Sequence, residues 1–224
     1  PRMIAQSILD AFSLEMVSNV EIAGPGFLNF TLSKDRFSTV ISEVLAQKEN
    51  YGQQPANGIK VDLEYVSANP TGSLHLGHAR GAAWGDSCAR IMKKAGYDVT
   101  REYYVNDAGN QITNLALSLN ARYRQAQGIP TEIGQDGYMG KDVEEKGYEL
   151  AKEYPQTYLE PTEENLKFFR KEGIKFELDK IRKDLDRYRV HFDVWSSEQS
   201  IRDAGKVEAA INESVSYTHL RAHE

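Results

Sequence analysis

The segment that most limits what this chain can fold into is an interrupted strand. Val61-Asp62-Leu63-Glu64-Tyr65-Val66 alternates apolar and polar residues, as a strand does. Ser67-Ala68-Asn69-Pro70-Thr71-Gly72-Ser73 cannot prolong it, because proline has no N–H to give a ladder and glycine no side chain to pack. From Leu74 to Ala95 the apolar residues Leu76, Ala79, Ala83, Cys88, Ile91, Met92 and Ala95 return at helical spacing, and Gly96 is suited to end the helix. Val99–Val105 reads as a second strand, and Asn106 or Asp107 is placed to cap a helix running to about Gln125. Strand, helix, strand in one run predicts a parallel α/β unit.

The flanks read differently. Residues 3–20 have helical spacing, with Ile4, Ile8, Leu9 and Phe12 on one stripe. Val20–Ala23, a Gly24-Pro25-Gly26 turn and Phe27–Leu32 read as a hairpin. Ser33 is placed to cap a helix from Lys34 to about Lys48, carrying Phe37, Val40, Ile41, Val44 and Leu45, and 49–58 reads as a polar linker. Beyond the central unit, 126–140 is a glycine-rich loop. Residues 141–190 mix 13 acidic and 12 basic side chains with apolar positions Leu166, Phe169, Leu178, Ile181 and Leu185, which predicts charged surface helices. His191–Trp195 reads as a short return strand, and Ser214–Glu224 fits neither helix nor strand.

Composition narrows the class. The 224 residues hold 27 Lys and Arg against 33 Asp and Glu, a net charge of −6, so nucleic acid is not held by bulk charge and any contact must be a local patch. No apolar run approaches the ~18 residues of a membrane span. The single Cys88 excludes an internal disulfide and fits a reducing, cytoplasmic setting. A chain opening Pro1-Arg2-Met3 reads as a fragment.

The chemistry lies in residues 68–78, ANPTGSLHLGH. His75 and His78 sit three apart at the predicted helix start and so share a face. A helix N-terminus offers free N–H donors and a positive dipole end, a site for phosphate. Gly77 leaves room for a flat ring or a phosphate to approach the backbone, and Thr71 and Gly72 supply a turn with further donors. The crevice beyond strand carboxyl ends is the usual ligand position in such sheets. The pattern points to a nucleotide held by imidazoles and backbone N–H groups. Zinc does not fit: a third ligand is missing, and Cys88 lies about 15 Å further along the helix. Cys88 is expected in the core, and Trp84 and Trp195 in packing roles.

Glu64, then Ser67-Ala68-Asn69-Pro70-Thr71-Gly72, then His75-Leu76-Gly77-His78-Ala79-Arg80-Gly81, then Asn106-Asp107-Ala108-Gly109-Asn110-Gln111 together resemble the start of the catalytic domain of a class I aminoacyl-tRNA synthetase, specifically the bacterial type of arginyl-tRNA synthetase. Gly24-Pro25-Gly26-Phe27-Leu28-Asn29-Phe30 and Phe192-Asp193-Val194-Trp195 with Glu198 agree. The resemblance covers most of 1–212. It implies an α/β fold: the first half of a Rossmann-like catalytic domain (57–125) with a helical insertion (126–190) and a return (191–213), preceded by the end of a small α+β N-terminal domain (1–50) and followed by a non-native tail (214–224). It implies ATP as substrate, with Mg2+ accompanying the nucleotide, and L-arginine and tRNA(Arg) as partners of a full-length monomer. His75 and His78 would be catalytic, with Thr71, Gly72 and Gly77 joining them around ATP. Glu64, Ser67 and Asn69 would hold arginine; Phe27 and Asn29 would read a tRNA base. The family's Lys-Met-Ser-Lys-type loop is absent from this chain. The alternatives are another adenylyl-transferring enzyme with a His-x-Gly-His motif and a non-catalytic fragment that contacts tRNA.

Overall fold

The computed structural model describes residues 1–221. The chain divides into two compact units, Pro1–Pro55 and a second beginning at Ala56.

In the first unit, helix α1 (Arg2–Ala11) is followed by the antiparallel hairpin β1 (Val17–Ala23) and β2 (Phe27–Leu32), then helix α2 (Lys34–Gln47). The helix expected over 3–20 therefore stops at Ala11. Phe12 turns extended and Val17–Ala23 pairs with Phe27–Leu32, so ladder bonds to a distant partner override the local helical spacing. Gly24 and Gly26 take positive φ at the hairpin turn, and a Cβ on Gly26 would press on the Pro1 backbone.

In the second unit, β3 (Lys60–Glu64), β4 (Asp98–Val105) and β5 (Val194–Ser197) form a parallel sheet in that order. Helix α3 (Leu76–Lys94) links β3 to β4. Between β4 and β5 come α4 (Asn110–Ala126), α5 (Lys141–Glu153) and α6 (Glu163–Arg187); α7 (Glu198–Asp203) and α8 (Lys206–Arg221) follow. The return strand thus lies three residues later than its apolar run suggests. Of the segment expected to be irregular, 214–221 continues α8, since a helix propagates on local hydrogen bonds alone. Residues 222–224 lie outside the described residues.

Helix α3 buries a different stripe from the one its large apolar residues mark. Ala82, Gly85, Asp86 and Ala89 face inward, while Leu76, Trp84 and Ile91 are exposed. Small residues let the helix lie close to the sheet: a Cβ on Gly85 would stand 2.3 Å from the Tyr65 ring. Trp84 is therefore not a packing residue and Cys88 is only half-buried. Trp195 does pack, stacked on Tyr103 at 4.3 Å between ring centroids.

The charged stretch 141–190 is more than a surface layer. Leu115, Leu119 and Tyr123 of α4, Val143 and Leu150 of α5, and Leu166 and Phe169 of α6 enclose a core of their own. Further along α6, Ile181 and Leu185 join Ala82, Tyr103 and Val105 in a second core against the sheet. One 25-residue helix, about 37 Å long, thus spans both cores. On the same helix Glu177 is fully buried. Its Oε2 accepts a 2.8 Å bond from Lys180, which also pairs with Asp142 on α5. Burial raises the Glu177 carboxyl above the ordinary range against the pull of Lys180.

Candidate active site

Strand β3 ends at Glu64, two residues short of the alternating pattern. Val66 and Ser67 both take positive φ (68° and 41°), an unusual state for a β-branched residue, and swing the chain out of the sheet. The exit is anchored from below: the buried Tyr103 hydroxyl donates to the Ala68 carbonyl at 2.8 Å, and Ala68 and Pro70 are both buried. Three groups of polar side chains hang on this scaffold.

The first is Glu64 with Ser67. The Ser67 hydroxyl donates to Glu64 Oε1 and accepts the Tyr104 N–H at 3.1 Å. The Glu64 carboxylate is exposed and, among the described residues, has no ion-pair partner. It is therefore not the structural salt bridge that a strand glutamate often makes.

The second is a chain of amides. Asn106 Nδ2 donates to Asn69 Oδ1 at 3.1 Å, and Asn69 Nδ2 donates to Gln111 Oε1 at 2.8 Å. Neither Asn106 nor Asp107 caps α4, whose N-cap is Gly109 at φ 85°. Asp107 serves another helix: its carboxylate accepts the Ser197 hydroxyl at 2.7 Å and the Gln199 N–H at 2.9 Å, in the first turn of α7. Four-residue offsets cannot reveal bonds between positions 90 apart, so the sequence pattern assigned these two residues to the nearer helix.

The third is the histidine pair. His75 does not share a helix face with His78; it is the N-cap of α3. Its Nδ1 accepts the Gly77 N–H at 3.1 Å, while the His75 N–H donates to His78 Nδ1 at 3.2 Å. The rings stack at 3.8 Å. Two backbone donors expected to face a phosphate are thus taken by imidazoles, and a ring whose Nδ1 accepts carries its proton on Nε2. Burial, then the neighbouring His75, lower the His78 pKa, so that ring is neutral at pH 7. Gly77 is required by His75 itself, since a Cβ would lie 2.9 Å from that ring. A Cβ on Gly72 would meet nothing, so that stretch of backbone is open. The Thr71 N–H is used within its own turn, bonded to the Asn69 carbonyl at 2.8 Å. Both histidines line a cleft of about 490 Å³ shared with Ala79, Ala82, Leu185 and Tyr188.

Beneath the site, Arg101 grips Asp193 with two bonds of 2.8 and 2.9 Å, and Asp86 holds Arg90 at 2.5 Å. Arg101 holds the Asp193 carboxyl well below the ordinary range. Burial, reinforced by Asp86, pushes Tyr65 up to about 12. The Arg101–Asp193 pair ties the segment after α6 to β4, and a 3.3 Å bond from Arg90 to the Arg189 carbonyl ties it to α3.

Phe27 and Asn29 lie on β2, in the other unit. Phe27 is 68% exposed, and Asn29 pairs with Glu21 in the ladder. Among the described residues no group of three or more His, Cys, Asp or Glu is placed to hold a metal ion, and no helix is long and apolar enough to cross a membrane.

A parallel sheet with an imidazole-capped helix and polar groups at its strand ends places the second unit in the class of parallel α/β domains. Within that class, the chain belongs to the class I tRNA synthetases: residues 40–218 match the family model described as "tRNA synthetases class I (R), catalytic domain". Residues 1–32 match the model for the arginyl tRNA synthetase N terminal domain. The arginine–tRNA ligases of Bacillus pumilus and Anoxybacillus flavithermus are each 52% identical over 94% of this chain, which spans 39% of their length. The solved Thermus thermophilus arginyl-tRNA synthetase superposes with a TM-score of 0.52 and 25% identity over 95% of this chain and 35% of the other.

Proposed function

We propose that this chain supplies part of an arginine–tRNA ligase site that activates L-arginine with ATP and passes it to tRNA(Arg). The observation that carries the reading is the histidine pair, locked by backbone N–H groups at Nδ1 and therefore presenting two N–H donors from Nε2. In the first step a carboxylate oxygen of arginine bonds to the α-phosphorus of ATP. The bond from that phosphorus to the bridging oxygen breaks, and pyrophosphate leaves. Negative charge grows on the phosphate oxygens, and fixed donors stabilise it at no cost in reorganisation. His75 and His78 fill that role without moving a proton, beside the backbone left open at Gly72.

The exposed Glu64 carboxylate, steadied by Ser67, offers the charge-assisted pairing that a guanidinium needs, and Asn69 holds the amino-acid end. Arginyl transfer to the terminal ribose of tRNA(Arg) follows. The exposed Phe27 ring and the Asn29 amide suit stacking on and hydrogen bonding to a splayed tRNA base. Mg2+ would enter on the triphosphate, and the full-length protein would work as a cytoplasmic monomer.

The test replaces the matching segment of the Bacillus pumilus ligase with this chain and follows arginine-dependent ATP–pyrophosphate exchange. The chimera should exchange, and His78→Ala in it should slow adenylate formation about 10²–10³-fold with little change in melting temperature. A near-normal rate in stopped-flow adenylation would remove His78 from the mechanism.

A further inference from the structure

The motif Asn106–Gln111 contributes two side chains that the reading above leaves without a task. We propose that Asn106 and Gln111 are positioning residues that fix the amide of Asn69 in one sense and so set the polarity with which the site meets its amino acid. The inference rests on the proposed function, in which Asn69 holds the amino-acid end of arginine.

Asn69 is exposed, yet its surroundings are built rather than loose. It stands between the buried Ala68 and Pro70, and the Ala68 carbonyl is pinned by Tyr103. Its side chain is held at both ends by residues 37 and 42 positions away. Bonds between two side chains are a minority of protein hydrogen bonds, and on a surface they forfeit rotamer freedom for little stability. A run of two on one exposed amide does little for folding and much for orientation.

The three amides run head to tail. Asn106 N–H meets Asn69 Oδ1, and Asn69 N–H meets Gln111 Oε1. A primary amide has one oxygen and two N–H bonds. The Asn69 oxygen is thus engaged by one neighbour and one N–H by the other, which leaves its second N–H as the donor for a ligand. Turning Asn69 over would set oxygen against oxygen at Gln111 and N–H against N–H at Asn106. With both neighbours in place the site offers a donor, matched to the carboxylate of the amino acid. With either removed, donor and acceptor forms compete.

The experiment uses the same chimera, with KM for arginine and for ATP measured by pyrophosphate exchange beside thermal melts. Gln111→Ala should raise KM for arginine about tenfold, the equivalent of one lost hydrogen bond, with KM for ATP and the melting temperature nearly unchanged. Gln111→Glu, which keeps an acceptor for Asn69, should recover most of that loss. Asn106→Asp, which turns the donor into an acceptor, should behave like Gln111→Ala. Because both act through Asn69, the double variant Asn69→Ala/Gln111→Ala should be no worse than Asn69→Ala alone. Multiplying effects in that double variant would overturn the proposal, as would equal rises in both KM values with a lower melting temperature. If Asn69→Ala itself leaves KM for arginine unchanged while the chimera exchanges normally, the positioning role falls and the ligase reading stands. If the unmutated chimera does not exchange with arginine, it is the ligase reading that fails.

Discussion

In Pro1–Pro55 many large apolar side chains stand in solvent and, among the described residues, none is fully enclosed; the unit that begins at Ala56 also exposes Leu76, Trp84 and Ile91 but encloses many others. Met3, Phe37, Ile41 and Leu45 are all more than 60% exposed, and among the described residues of the first unit only Ala5 is buried. Phe169, Leu115, Leu119, Leu150 and Ile181 in the second unit are at most 1% exposed. Both regions carry apolar residues at regular spacing, and both form helices, though in the first unit the one predicted over 3–20 stops at Ala11. An apolar stripe is enough to make a helix two-faced, but it does not supply the partner. In the second unit three helices and a sheet supply it; in the first, a two-stranded hairpin and two helices enclose little. A lone two-stranded hairpin is marginal in water.

The sharpest way to test that contrast is a pair of matched truncations. Phe169→Ala should cost about 3–5 kcal/mol in urea melts of the second unit's transition, the usual range for a buried aromatic. Phe37→Ala should stay within about 0.5 kcal/mol, as exposed positions do. Similar losses at both sites would mean that Phe37 is enclosed in solution. Next in size is amide hydrogen exchange on the full chain. The ladder amides of β1 and β2 should exchange at least ~100-fold faster than the central amides of α4 and α6, because local opening needs little apolar exposure there. Uniform protection would erase the distinction.

The smallest expected effect concerns acid. Asp193 has its folded pKa lowered, first by its bonds to Arg101, so its contribution is present above the ordinary carboxylate pKa of about 3.9 and is lost as pH falls below it. The carboxylate is partly exposed, and solvent screening limits the pair to about 1 kcal/mol. Asp193→Asn should lower stability at pH 7 by that order and flatten the acid limb of the second unit alone. A variant whose acid limb is as steep as before would show that other carboxylates govern it.

Much of the candidate site was legible in the sequence because it is packed into short spacings. The interruption from Ser67 on, the turn through Pro70 and Gly72, and the two histidines before a long helix are all visible within about a dozen positions. What could not be read is anything that depends on which distant residue lies opposite. Size marks Leu76, Cys88 and Ile91 as the apolar stripe of α3, whereas the observed face uses Ala82, Gly85 and Ala89 because closeness to the sheet matters more there. Gly77 was read as room for a ligand, and the ring that fills the space is His75.

By itself the sequence determined the order of the main elements, the parallel character of the β3–β4 pair and that the chain leaves the sheet ahead of Pro70. These follow from spacing, from proline's missing N–H and from glycine's missing side chain, which act within a few residues. Only the tertiary structure decided that Asp107 serves α7, that Glu177 is buried on the helix spanning both cores, and that Asn69 is held by Asn106 and Gln111. Each of those depends on a hydrogen bond or burial between groups brought together by packing, and a linear pattern holds no record of a distance across space.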